Sequence, residues 1–283
     1  MMPEGPEVEH VSRILRKLEN KTIKSIQLTE LSQKYNKYRG KKTEFSEFSK
    51  CKLIKIERQG KFILFRFNNN KVILNHLGMS GKWFLTNDDN KISKLKHPKA
   101  IITTEDPRTF AIFDDARNFG QFRKFPNYDT VMNYPPIKKL GLDGLELPFP
   151  LSKFHDTLKQ KRNMNKAIAI ALLDQTIVAG IGNIYKSESL FRAKINPVRF
   201  VKNLENREIE ALGKAISITL QQAVKSMGST IQSYRNPYGE EGSAQNWHAV
   251  YAKEGKPCNL CGTPITRILQ NKRSTFFCEK CQK

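Results

Sequence analysis

The sequence predicts an α+β chain: an antiparallel β-domain headed by a long helix, then a helical region, then a cysteine-bearing β-hairpin at the C-terminus. Three observations predict it. Apolar residues step by three and four near the N-terminus and again between 151 and 226. Short β-rich runs separated by turn signals fill 22–125. Two Cys-x2-Cys pairs lie in the last 36 residues.

Val8, Val11, Leu15 and Leu18 form one face of a helix over 7–18, with Pro6 near its first turn, where proline is tolerated. Runs at 61–67, 71–77, 100–104 and 109–113 read as strands, divided by Asn68-Asn69-Asn70 and Asp106-Pro107. They predict a sandwich or a barrel. The stretch 126–150 is rich in Pro, Gly and Lys, and its part from Pro135 to Pro150 is expected to be a linker. Helical spacing returns at 167–173 and 209–224, followed by a polar loop over 229–247. The expected division is therefore 1–134 (β-domain), 135–150 (linker), 151–247 (helical domain with its loop) and 248–283 (cysteine module).

Composition narrows the function classes. With 39% hydrophobic residues the 283-residue chain is globular in composition, not disordered. A net charge of +22 favours a polyanionic partner, because neutralising phosphates releases counterions. No apolar run approaches the roughly 20 residues of a membrane helix, and 1–18 is charged, without the apolar core of a signal peptide. No membrane association is expected, and the protein is expected to be soluble and intracellular. Four of the five cysteines cluster, which argues for a metal site in a reducing compartment, not a disulfide framework. Cys51 stands alone and is expected to pack in the core.

Cys258, Cys261, Cys278 and Cys281 form two pairs separated by 16 residues, which suits a tetrahedral Zn²⁺. Four thiolates leave no open position for a catalytic water, so one structural Zn²⁺ is expected. Strands at 265–269 and 274–277 would flank the turn Gln270-Asn271-Lys272-Arg273-Ser274, a basic tip suited to phosphate contact more than to mere solvation.

At the other end, Pro3 would present a secondary amine if the methionines are absent. An α-amino group titrates at about 7.7–8.0, and a helix N-terminus lowers that further. Such an amine can attack a sugar carbon and form an iminium that drives β-elimination. Glu4 and Glu7 stand beside it in sequence for proton transfer. Taken alone, the stretch reads first as an ordinary helix start. With Met2 attached the Pro3 nitrogen is an amide and inert, so synthesis from Met2 is expected.

Met2-Pro3-Glu4-Gly5-Pro6-Glu7-Val8 resembles the opening of the Fpg/Nei DNA glycosylases, and in particular the endonuclease VIII-like branch. That family carries one methionine before the proline, where this chain has two. Further motifs follow in the family's order. Arg58-Gln59-Gly60-Lys61 places Lys61 where the family's lysine engages the damaged nucleotide. His76-Leu77-Gly78-Met79-Ser80-Gly81 matches a block whose methionine, here Met79, fills the gap left by the extruded base; the bland reading is a core methionine. His97 aligns with a DNA-contacting histidine. Asp115-Ala116-Arg117-Asn118-Phe119-Gly120 implies that Arg117 pairs the orphaned base and Phe119 wedges beside it.

The segment 174–197 is similar to the family's helix–two-turn–helix. There Gly180 and Gly182 would let the backbone approach phosphate, and Asn183 would head a helix whose N-terminus holds one. Arg162 and Lys166 flank the position of an upstream lysine, and Lys166 is taken for that DNA contact. Residues 256–283 are similar to the family's zinc finger, with Arg273 as the arginine that clasps the lesion's phosphates and supports δ-elimination.

The resemblance implies an N-terminal β-sandwich and a helical domain flanking a basic cleft that takes damaged DNA. It implies a base-excision glycosylase and abasic-site lyase. Pro3 would attack C1′, Glu4 would protonate the sugar oxygen, and β- then δ-elimination would open the strand. No small-molecule cofactor is implied, and a monomer is expected. Two alternatives stay open: a non-catalytic damaged-DNA-binding protein, and a zinc-ribbon adaptor for protein partners. The N-terminal motif leans slightly to oxidised pyrimidines. The 229–247 loop and the complete Met79, Arg117, Phe119 set point to formamidopyrimidines and 8-oxoguanine.

Overall fold

The computed structural model describes residues 2–33, 45–230 and 234–283. It divides into two compact units. The first comprises Met1–Pro3, Glu7–Lys138 and Ser226–Ser243; the second comprises Glu4–Pro6, Lys139–Lys225 and Ala244–Lys283.

Helix α1 (Gly5–Leu15) opens the chain and ends in a 3₁₀ turn, Arg16–Leu18. Its predicted face is the buried one: Val8, Val11, Leu15 and Leu18 join the core of the first unit. Eight strands follow: β1 (Ile23–Leu28), β2 (Leu53–Gln59), β3 (Phe62–Phe67), β4 (Val72–His76), β5 (Lys82–Thr86), β6 (Pro98–Thr104), β7 (Phe110–Asp114) and β8 (Gln121–Phe125). They make two four-stranded antiparallel sheets, ordered β1-β6-β7-β5 and β2-β3-β4-β8. The fold is a sandwich, not a barrel.

Aromatic side chains join the sheets. Trp83 on β5 lies 5.4 Å from Phe113 on its own sheet and 5.4 and 6.2 Å from Phe65 and Phe122 on the other. Its indole N–H donates to Asn75 Oδ1 at 2.8 Å, so the one polar atom of the ring is satisfied. The half-buried Cys51 packs against this core as expected.

The stretch 126–150 is not a bare linker. After α2 (Glu30–Gln33) and α3 (Asn90–Ser93), it carries α4 (Tyr128–Met132), α5 (Pro135–Lys138) and β9 (Leu142–Asp143). Asn127 caps α4 by accepting the Thr130 N–H at 2.8 Å, and Pro135 occupies the first position of α5. The loop assigned from sequence to the helical domain also behaves differently. Residues 226–243 cluster with the sandwich, where Tyr234 is a core residue and Leu85 donates its N–H to Pro237 O at 2.9 Å. Positions 231–233 of that loop lie outside the described residues.

The second unit contains α6 (Leu151–Leu158), α7 (Lys161–Met164), α8 (Ile168–Leu173), α9 (Asn183–Arg192) and α10 (Asn206–Lys225). Strand β9 pairs in parallel with β10 (Val178–Ala179) ahead of α9. The C-terminal hairpin is β11 (Thr266–Gln270) with β12 (Arg273–Phe277). Its two-residue turn, Asn271-Lys272, has φ of 46° and 61°. A right-twisted hairpin prefers that left-handed turn. Among the described residues no helix is long and apolar enough to cross a membrane.

Candidate active site

The head of α9 is the most constrained polar site. The Glu4 carboxylate is buried there and accepts N–H bonds from Gly182 (2.9 Å), Ile184 (2.9 Å) and Tyr185 (3.3 Å). These are the amides that a helix start leaves unpaired. Gly182 is required by this contact: a Cβ there would lie 2.3 Å from Glu4 Cδ. Gly5 N–H donates to Gly180 O at 2.7 Å, and Gly180 has φ of 95°. The expectation that these amides hold a DNA phosphate is therefore corrected. Glu4 already occupies them, and both glycines make room for the N-terminal stretch.

Asn183 turns to the zinc hairpin instead, donating from Nδ2 to Ser274 O at 2.7 Å. One turn on, Lys186 has no exposed surface and donates to Asn183 Oδ1 (2.9 Å) and Thr275 Oγ1 (2.8 Å). Burial pulls its pKa down to about 7, with Glu4 raising it and Arg273 lowering it further. Glu188 is also buried and accepts N–H bonds from Ala249, Val250 and Tyr251 at 2.7–3.1 Å. Desolvation wins over those bonds and raises the Glu188 pKa. Arg273 begins β12 and is exposed.

The four cysteines meet. Their sulfurs lie within 4.8 Å of one another, with Cys258–Cys281 at 3.9 Å and Cys261–Cys278 at 3.5 Å. Thiolates at about 2.3 Å from a tetrahedral Zn²⁺ stand about 3.8 Å apart, so the set fits one structural Zn²⁺. Phe191 of α9, Val250, Ile265 and Phe276 pack around it, tying the finger to the helix.

In the sandwich unit, Pro3 and Glu7 are buried. Glu7 accepts the Ser229 N–H at 2.7 Å, and a Cβ on Gly228 (φ +79°) would stand 2.7 Å from its Cγ. The Tyr234 hydroxyl donates to Glu7 O at 3.4 Å; burial and then the Glu7 charge hold that phenol well above its ordinary pKa, so it stays a donor. Lys61 is buried in the β2–β3 turn after Gly60, which has φ of 59°. Arg58 braces that turn, donating to Gly60 O (2.9 Å) and to Glu9 of α1 (3.0 Å). Burial opposes the Glu9 charge, but the bonds from Arg13 and Arg58 outweigh it and lower its pKa.

Met79, Arg117 and Phe119 are presented by two touching loops. A Cβ on Gly78 would lie 2.4 Å from the Phe119 carbonyl carbon. Beneath them the buried Asp115 accepts from Ser80 Oγ (2.5 Å) and Gly120 N (2.7 Å), and Ser80 Oγ accepts the Arg117 N–H at 2.9 Å. Met79 is half-buried; Arg117 and Phe119 are exposed, the guanidinium 5.1 Å from the ring. Exposed His97 leads into β6, its N–H on Asp114 Oδ1 at 2.9 Å. The Lys166 ammonium donates to Asn163 Oδ1 and Asp174 Oδ2, both at 2.9 Å. Sequence reading missed Lys186, Glu188 and Asp115. All three lie inside quoted motifs, but only a helix buried all round turns Lys186 and Glu188 inward, and no periodicity reports that.

The comparisons agree with this geometry. The family model described as the formamidopyrimidine-DNA glycosylase N-terminal domain matches residues 2–122. The formamidopyrimidine-DNA glycosylase H2TH domain matches 140–235, and the zinc finger found in FPG and IleRS matches 255–283. The chain is 40% identical over 228 residues to a formamidopyrimidine-DNA glycosylase of Listeria monocytogenes, covering 81% of each. It is 36% identical over 250 residues to one from Bartonella tribocorum, covering 82% of this chain and 84% of that one. Among solved structures, a Lactococcus lactis Fpg variant complexed with DNA containing Fapy-dG superposes with a TM-score of 0.87 at 33% identity, over 99% of this chain and 100% of that one. The wild-type L. lactis Fpg bound to DNA containing an oxidised pyrimidine superposes with a TM-score of 0.86 at 33% identity, with the same coverage.

Proposed function

The chain belongs to the formamidopyrimidine-DNA glycosylase family, and on that premise we propose that it is a base-excision repair enzyme that removes an oxidised base from DNA and cleaves the strand at the resulting abasic site. One observation carries the catalytic reading: Pro3, the candidate amine, is followed directly by Glu4, whose carboxylate is pinned by three backbone N–H groups at the head of α9. That placement fixes where a proton can be exchanged beside the amine.

As the N-terminal residue, Pro3 attacks C1′ while the bond from C1′ to the base breaks and the base leaves with a proton. Glu4 delivers a proton to the ring oxygen as the C1′–O4′ bond opens, and the amine loses its own proton to become an iminium. The iminium draws the electrons released when a C2′ proton is removed, and the 3′ phosphate leaves. Removal of a second proton, at C4′, expels the 5′ phosphate. Lys61 and Arg273 are the cations assigned to the flanking phosphates; Glu7 serves by holding the 228–229 turn. Met79, Arg117 and Phe119 fill the gap that the flipped base leaves, with His97 on the backbone. The protein acts as a monomer on damaged DNA with no small-molecule cofactor.

Formamidopyrimidine lesions are placed first, from the relatives' name and the L. lactis complex with Fapy-dG. Oxidised pyrimidines, to which the N-terminal motif leans, come second, supported by the other L. lactis complex. The test uses protein synthesised from Met2, oligonucleotides with one lesion each, and borohydride. A covalent protein–DNA band is expected, abolished by an added N-terminal residue, and strongest on the preferred lesion. No adduct on any lesion or abasic site, with Pro3 free and DNA tightly bound, leaves a non-catalytic damage-binding protein.

A further inference from the structure

We propose that Lys186 is a positioning residue for the strand-cleaving steps: by bridging Asn183 on α9 and Thr275 on β12, it fixes the face of the zinc hairpin that carries Arg273. The inference rests on the glycosylase/lyase reading given above.

The geometry is specific. Successive side chains of a strand alternate between faces, so Arg273 and Thr275 project from the same side of β12. Thr275 is buried and Arg273 exposed. Whatever holds Thr275 therefore sets the direction of Arg273. The holder is the Lys186 amine, at 2.8 Å, and its second bond, 2.9 Å to Asn183 Oδ1, ties the same atom to the head of α9. Asn183 closes the loop through Ser274 O at 2.7 Å. Two consecutive residues of β12 are thus pinned to one helical turn. A plain structural spacer in this position would be apolar, since burying a lysine without need is costly.

The charge on this amine is balanced locally. Glu4 favours it and Arg273 opposes it, and Tyr251, which shares Asn183 and feels Glu4, completes the surrounding titratable groups. With a pKa near 7, both forms of Lys186 are present at neutral pH. The ammonium makes charge-assisted bonds to Asn183 and Thr275, and the neutral amine makes weaker ones. A DNA phosphate on Arg273 would cancel the guanidinium's opposition and favour the ammonium. The hairpin is therefore held most firmly with substrate bound and below neutral pH.

The experiment follows β- and δ-elimination products on a duplex with a preformed abasic site from pH 5.5 to 9, for wild type, Lys186→Met and Thr275→Val. Wild type should give a δ-to-β product ratio that falls through an inflection near pH 7. Lys186→Met should lower the ratio about tenfold at pH 6 and flatten its pH profile. Thr275→Val should keep an inflection, at lower pH, with a reduced ratio. Zinc content and circular dichroism report whether each variant folds; if Lys186→Met does not, Thr275→Val decides alone. A folded, zinc-loaded variant with the wild-type ratio and inflection overturns the proposal. Absence of both products from wild type would instead fail the lyase reading.

Discussion

In the sandwich unit, the side chains assigned to the gap in DNA stand on loops. Arg117 and Phe119 are exposed, and the backbone beneath them is secured through Asp115. In the helical and zinc unit, the polar groups around the candidate chemistry are inside. Glu4, Lys186 and Glu188 are all buried, and each spends its hydrogen bonds on protein. The difference follows from what each group must do. A wedge works only by leaving the protein and entering a stack, so it must reach the surface. A proton-exchanging carboxylate needs a fixed position, and buried polar networks give fixed positions only when every member is satisfied. Stability and activity should therefore be separable in the first unit and inseparable in the second.

Zinc removal sharpens this most. The four thiolates hold the core of Phe191, Val250, Ile265 and Phe276 together, and apparent zinc binding supplies on the order of 10 kcal/mol to fingers of this kind. Chelation, or Cys278→Ser, should abolish strand cleavage and remove amide-exchange protection over 255–283 and at the three amides held by Glu188. Protection of the sandwich strands β3 and β4 should persist. If it falls in step with the finger, the contrast between the units is wrong, because they then unfold as one.

Asp115→Ala tests the first unit's support layer. It leaves Ser80 Oγ and the buried Gly120 N–H without their acceptor. Each unsatisfied buried group costs about 1–3 kcal/mol, so a loss of about 3 kcal/mol is expected in urea unfolding. Lesion processing should fall with it, because both loops lose their shared anchor. Full stability would mean that Asp115 is dispensable and that the loops are held by something else.

Much of this was legible in the sequence, and the failures have physical causes. The amphipathic 7–18 helix, the strands at β3, β4, β6 and β7, and the zinc hairpin were all marked by period or spacing. Strands β1, β2, β5 and β8 were not; in β1, β2 and β8 Lys, Glu, Gln and Arg interrupt the run and hide the alternation, as in Leu53–Gln59. The linker was misjudged because proline and glycine signal breaks, while Pro135 here starts a helix and Asn127 caps another. Motifs singled out the loop residues Met79, Arg117 and Phe119, because residues that share a loop are neighbours in sequence. The partners of Glu4 lie some 180 residues away, and no local pattern records that. The same holds for Lys186 and Thr275, separated by 89 residues.

Phe119→Ala makes the finest division. The ring is 42% exposed and is absent from the sandwich core, so its loss removes little buried apolar area. Unfolding free energy should change by no more than about 0.5 kcal/mol, as for other surface substitutions. Activity should not be spared. Unstacking a base costs a few kcal/mol, and an apolar wedge offsets part of that. Loss of about 1.4 kcal/mol of such compensation is a tenfold change in rate. The variant should therefore excise an intact lesion from duplex DNA about tenfold more slowly than wild type. On a preformed abasic site, where no base must be extruded, the deficit should shrink to about twofold. Equal deficits on both substrates would assign Phe119 to general DNA affinity. A melting temperature several degrees lower would return it to the core, and with it the claim that this unit separates stability from activity.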